Sequence, residues 1–231
     1  MRRVRSERRL AAAPLGLLLC ACASAPTARL VTEVPAPVAV PDNAETYELP
    51  AGSIDVQADV SAGTSYTLKF PRSRATLVIA PSKLEASSVD VHVDTTAVDS
   101  TLPIVADIAK DQFLHTYRFP TARFASRSLR RAETGLELYG NFDFHGTQKS
   151  LVVPASIEVD SCRVRIGCEF AIDRRAFGAV SDGSLDGIVS DSVVVRIAAD
   201  VARKGAPASC SKAEARGEPL PAAAAAPAAA R

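Results

Sequence analysis

Tryptophan is absent, methionine occurs once, and only three histidines stand in 231 residues. So few histidines leave little for a metal centre. His92, His115 and His145 show neither HxxxH nor HxH spacing, and no CxxC accompanies them. A GxSxG nucleophile turn is missing as well, and Gly183-Ser184-Leu185-Asp186-Gly187 is turn composition. With no acid–base or nucleophile set assembling, the sequence argues against an enzyme and calls for no cofactor. No apolar run reaches the about 20 residues of a membrane-spanning helix. Beyond the first nine residues the basic runs are missing too, apart from Arg127–Arg131 (RSLRR), which suits a solvated hairpin face. That leaves no electrostatic footprint for nucleic acid.

What is present begins with an export signal. Met1–Arg9 carries five arginines and one glutamate, and Leu10–Ala21 (LAAAPLGLLLCA) is apolar and of signal-peptide length. Leu19-Cys20-Ala21-Cys22 then resembles the lipobox of bacterial lipoproteins. That resemblance implies cleavage before Cys22, a diacylglycerol on its sulfur and an acylated amine. Several acyl chains anchor stably where one is marginal. Ala23-Ser24, with no aspartate after the cysteine, resembles the signal for outer-membrane sorting, which places the protein in the periplasm, held to that membrane through Cys22. The simpler alternative is an ordinary secretory signal cut after Ala23 or Ala25. Removing residues 1–21 takes away five arginines and one glutamate. The mature chain then holds 22 basic and 25 acidic side chains, net −3.

With Cys22 lipidated, three cysteines remain in an oxidising compartment: Cys162, Cys168 and Cys210. Cys162 and Cys168 are near in sequence. On one strand, however, six steps of about 3.3 Å separate their Cα atoms by roughly 20 Å, well past the about 7 Å a disulfide tolerates. They pair only if the chain folds back between them, and Arg163–Ile166 reads as strand. A Cys162–Cys210 or Cys168–Cys210 bridge, tacking down the tail, stays open.

Residues 22–45 are rich in Ala, Pro and Val and read as an extended tether after the anchor. Residues 204–231 interrupt their alanines with prolines and read as a disordered tail. Between them, residues 46–203 suffice for one domain with a core. Apolar and polar residues alternate there: Ile54-Val56-Ala58-Val60, Tyr66-Leu68-Phe70, Val89-Val91-Val93, Leu136-Leu138 with Phe142-Phe144, Val164-Ile166-Cys168-Phe170-Ile172, and Val193-Val195-Ile197. Period 2 buries one face of each strand. Gly- and Pro-containing turns separate the segments, and only residues 104–115 carry a helical pattern. The chain is therefore all-β, a sandwich or antiparallel barrel with one short helix. Closure is the easier way to remove strand edges.

Four stretches carry a resemblance to a known family: Ser87–Asp94; Phe113–His115 with Arg118–Ser126; Gly140–Lys149 running on to Pro154; and Phe170–Gly178. Together with the last strand, ending at Ala199, they resemble the YceI-like family of bacterial envelope proteins. Residues 46–85 match it weakly. The resemblance implies a lipocalin-like antiparallel β-barrel holding a long apolar chain, a polyisoprenoid or similar lipid such as a fatty acid. Phe113, Phe119, Phe124, Phe142, Phe144, Phe170 and Phe177 are seven of the eight phenylalanines and all lie in the matched region. With Leu68, Phe70 and Leu138 they are candidates to line a cavity, although the same residues suit an ordinary core. His145 and Lys149 are candidates to face a lipid head group, and His145-Gly146 equally suits turn chemistry. Arg174 is a candidate to contact an anionic head group or to pair a carboxylate. Two functions follow: a lipid-binding barrel, or a filled barrel that docks an envelope partner.

Overall fold

The structure, a computed structural model, describes residues 25–210 except 134, 182 and 184. Twelve strands follow in chain order: β1 (Arg29–Leu30), β2 (Glu45–Leu49), β3 (Asp55–Ala62), β4 (Thr64–Lys69), β5 (Arg74–Ile79), β6 (Ser88–Asp94), β7 (Asp99–Ser100), β8 (Thr121–Ala132), β9 (Gly135–Phe144), β10 (Thr147–Val159), β11 (Arg163–Asp173) and β12 (Ser192–Ala202). Among the described residues the one named α-helix, α1 (Pro103–Ile108), opens on Pro103 and runs into a π-turn, Ala109–Phe113. Proline suits a first helical turn, where its missing N–H would have had no partner.

The strands pair antiparallel in the order β2-β5-β6-β8-β9-β10-β11-β12-β3-β4-β7, and the sheet curls into a half-barrel. Among the described residues no pair joins β2 to β7, so the path stays open where the alternation suggested closure. The alternating apolar residues point into the curl, where Leu77, Ile79, Val91, Leu129, Val153, Val164 and Phe170 are fully buried. Gly140 shows how tightly two strands approach. A Cβ there would stand 2.5 Å from the Ala125 carbonyl oxygen, opposite the bulge in β8.

β10 changes partners along its length. Thr147–Ala155 pairs with β9, and Ser156–Val159 pairs with β11. Pro154 has no N–H for a ladder and sits where the strands part. Into that splay goes the N-terminal segment. β1 pairs with Leu151 and Val152 of β10, while Thr27 bridges Ala171 of β11. The N–H of Ala28 donates to the Ala171 carbonyl at 2.8 Å, the N–H of Ala171 to Pro26 at 2.9 Å, and the N–H of Val31 to Ser150 at 3.0 Å. The stretch expected to be a free tether over 22–45 is therefore seated on the sheet from Pro26 to Val31. Two open ladder edges supply hydrogen bonds that outweigh its irregular composition. The signal segment, Cys22 and the tail beyond Cys210 lie outside the described residues.

The two ends of the curl differ. At the far end, Cys162 is bonded to Cys210, with Cα atoms 5.5 Å apart. This settles the pairing, and Cys168 is the free cysteine among the described residues. The start of the expected tail is thereby fastened to the domain. At the other end α1, the π-turn, the β9–β10 hairpin and the loop from Arg174 to Asp191 gather around an opening.

Candidate functional site

An apolar cavity of about 280 Å³ lies inside the curl. Its wall is built by the inward residues of β3, β4, β6, β8, β9, β11 and β12, since period 2 sends every second side chain to one face. α1 and the π-turn cover it with Val105, Ile108, Ala109 and Phe113, and the loop before β12 contributes Leu185, Ile188 and Val189. Ile188 lines the cavity and is still 58 % exposed, so it marks the opening.

The wall's polar side chains are Gln57, Tyr66, Thr95 and Arg174, and three of them are committed elsewhere. Gln57 donates to Asp55 at 2.7 Å, and the Thr95 hydroxyl donates to the Phe119 carbonyl at 2.8 Å. Arg174, only 3 % exposed, spends every N–H. Its Nε donates to the Ser190 carbonyl at 3.0 Å, and Nη1 to the Ala179 carbonyl and to Asp186 Oδ1 at 2.9 and 2.7 Å. Nη2 reaches the carbonyls of Asp186 and Val189 and the carboxylate of Asp191. Its guanidinium also lies 5.1 Å from the centre of the Phe113 ring. That guanidinium holds the Asp186 carboxyl below the usual carboxylate range. Arg174 thus ties the loop to the barrel. A head group would find no donor free, which corrects the expectation of an anion contact there.

The structure brings Leu68, Phe70, Phe113, Phe124, Phe142, Phe144 and Phe170 onto the cavity wall, and Arg174 with them. Three other candidates fall elsewhere. Leu138 is buried in the core away from the cavity. Phe177 packs edge-on against Phe142, ring centres 5.3 Å apart, in a layer behind the wall. Phe119 lies against His145 at 4.1 Å between ring centres, outside the cavity. The wall also holds Val56, Ala58, Val91, Val93, Val193, Val195 and Ile197, which a choice of phenylalanines with Leu68 and Leu138 passes over. The alternation that defines the strands is the signal that finds them.

His145 and Lys149 serve the hairpin. His145 and Gly146 both have positive φ, 53° and 72°, as a two-residue primed turn requires. A Cβ on Gly146 would stand 2.7 Å from the Phe119 ring, so only glycine fits. Lys149 Nζ sits 5.5 Å from the centre of the Phe177 ring and does not reach the cavity. His145 Nε2 lies 2.9 Å from Nδ1 of His115, whose φ of 43° is also left-handed. Burial, and then the neighbouring His115, pull the His145 pKa below its ordinary value. Cys168 donates its thiol hydrogen to the Pro154 carbonyl at 3.0 Å, and burial pushes its pKa up to about 12, so it is no thiolate nucleophile.

A family model described as the YceI-like domain matches residues 47–201, including the first strands, whose own resemblance is weak. BcnA of Burkholderia cenocepacia superposes with a TM-score of 0.60 at 19 % identity, covering 66 % of this chain and 99 % of that one. A polyisoprenoid binding domain from Saccharophagus degradans, implicated in plant cell wall breakdown, gives 0.51 at 11 % identity, over 66 % of this chain and 95 % of its own. The Campylobacter jejuni YCEI protein gives 0.52 at 16 % identity, over 59 % and 84 %. At such identities the likeness is one of fold. No curated protein sequence matches the chain.

Proposed function

Because the chain belongs to the YceI-like family, we propose that it binds a long apolar lipid of isoprenoid or fatty-acid type inside the half-barrel, as an envelope lipoprotein anchored by Cys22. The single observation that carries this reading is the cavity: an overwhelmingly apolar wall, covered on one side by α1, on which Gln57, Thr95 and Arg174 already spend their hydrogen bonds elsewhere. A site of that kind stabilises hydrocarbon through burial at roughly 25 cal/mol per Å² and offers nothing to a charge. An open space of this kind is what a filled, partner-docking barrel would lack.

The volume bounds the passenger. About 280 Å³ is just below the roughly 300–1,000 Å³ of typical ligand sites. A long chain is therefore enclosed over one stretch only, with its head group outside the opening beside Ile188. The Cys22 anchor, the periplasmic address and outer-membrane sorting rest on the lipobox-like Leu19–Cys22 and on Ala23-Ser24.

Protein purified from its native envelope, extracted with organic solvent and examined by mass spectrometry, should release a neutral or tail-bound lipid in near-stoichiometric amount. A folded preparation with no lipid, and no uptake of a hydrocarbon fluorophore, sinks the proposal. Radiolabelled palmitate should enter the wild-type chain and be lost in Cys22→Ser. No label in either chain would reduce the anchor to an ordinary secretory signal, and equal labelling of both would move the acylation away from Cys22.

A further inference from the structure

α1 and the π-turn form a cover over the cavity, and its C-terminal end is fastened to the barrel by the His115–His145 pair. A gap of 2.9 Å between two ring nitrogens admits one hydrogen. Nδ1 of His145 turns toward the Phe177–Gly178 backbone, 3.6 Å from where a Cβ on Gly178 would stand. One facing nitrogen donates and the other accepts, so the contact holds while either of the two is bare. Protons on both facing nitrogens set two N–H groups against each other.

We propose that the His115–His145 contact is an acid-sensitive latch, closed at neutral pH, whose opening frees the α1 cover and the apolar cavity beneath it.

The surroundings fit that role. Both histidines sit in left-handed backbone, which non-glycine residues occupy only when neighbouring contacts hold them there. Phe119 and Phe144 pack on the His145 ring, and Gly178 approaches its Nδ1. The charged groups nearby are cations: Arg118, next to Phe119 on the cover side, and Lys149 over the Phe177 ring on the barrel side. Among the described residues the one histidine paired with a carboxylate is His92, with Asp90, so no acid offsets a proton on the latch. Beyond the latch, the polar ties of the cover to the barrel are a long Gln112–Ser181 hydrogen bond of 3.4 Å and the Phe113–Arg174 stack, and its apolar side chains, Val105, Ala109 and Leu114, pack on the core. The closed state binds fewer protons than the open one, because His145 titrates low when latched. Closing is therefore fully favoured above the ordinary histidine value of 6.5 and is lost as pH falls below it.

The latch rests on the proposed cavity but is tested without a passenger. Hydrogen exchange of the whole chain, corrected for the intrinsic pH dependence, reads residues 103–119 directly. Protection there should fall about tenfold from pH 7.5 to 5, a net hydrogen bond's worth, while β11 and β12 hold steady. Release of a preloaded hydrocarbon fluorophore should quicken by about the same factor. Asn tolerates positive φ, so His145→Asn and His115→Asn should both fold, with low and pH-independent protection of the cover. If the wild-type cover exchanges equally at both pH values, or either variant keeps the pH step, the latch is wrong. Failure of the fluorophore to bind at pH 7.5 overturns the lipid-binding reading instead.

Discussion

The two ends of the half-barrel are held by different physics. The far end is stapled. The Cys162–Cys210 bond closes a loop of 48 residues there. Asp160 accepts from the N–H groups of Cys162 and Arg163, both at 2.7 Å. Arg203 reaches Glu45 at 3.1 Å and the Asp160 carbonyl at the same distance. The mouth has no covalent tie. It depends on the buried Arg174 guanidinium with the Arg175 ion pairs to Asp186 and Asp191 beside it, one pair of imidazoles and a short cover. Reach explains the contrast: a cover has to move if anything is to enter, while the opposite end has only to keep the strands in register. Low local stability at a ligand entrance is the general pattern.

The sharpest way to break this comparison is Arg174→Ala. It removes the donors of four carbonyls and one of the two arginines on Asp186 and Asp191, which Arg175 still holds, and the unpaired carbonyls should cost about 3 kcal/mol. Urea unfolding should show the loss, and a hydrocarbon fluorophore should no longer bind. Next is the double change Cys162→Ser with Cys210→Ser. Releasing the staple should cost about 2–4 kcal/mol and leave fluorophore affinity within twofold, because the cavity lies at the other end. If binding falls in step with stability, the ends are not independent. Filling the cavity with Ala58→Phe should weaken binding at least about tenfold, some 1.4 kcal/mol, with little change in unfolding. The smallest effect separates the ends by pH. The latch loosens below pH 6.5, whereas Asp160, whose pKa is lowered by the Cys162 and Arg163 N–H groups, keeps its contribution until pH falls below its ordinary 3.8. Acid titration followed by site-resolved exchange should show two steps, the mouth first.

The barrel wall was legible in the sequence because alternation is a local signal. Val56 and Ala58, or Val193 and Val195, announce an inward face without knowledge of any other strand. Phe119, Leu138 and Phe177 show the limit, since a large apolar residue can pack in a core layer or a turn rather than on the cavity, and that depends on what the fold sets opposite it. The β1 segment was illegible for another reason. Residues 26–31 owe their strand pairing to two edges that β10 and β11 leave open, and nothing in their own composition records it. The His115–His145 contact joins residues 30 apart. The sequence marks His145-Gly146 as a turn but carries no sign of what the imidazole meets. Chain reach argued against pairing Cys162 with Cys168, while the choice of Cys162 as the partner of Cys210 required the fold.

The seating of Pro26–Val31 also sets the geometry of attachment. Cys22 is four residues from Pro26, at most about 15 Å of chain at 3.8 Å per Cα step. If Cys22 carries acyl chains, as proposed, the β10–β11 seam would be held within about 15 Å of the head groups rather than on a leash of roughly two dozen residues. The local concentration of the barrel against the lipid surface would then be set by that short reach rather than by diffusion. Cutting the β1 hydrogen bonds would lengthen the mount without touching the cavity.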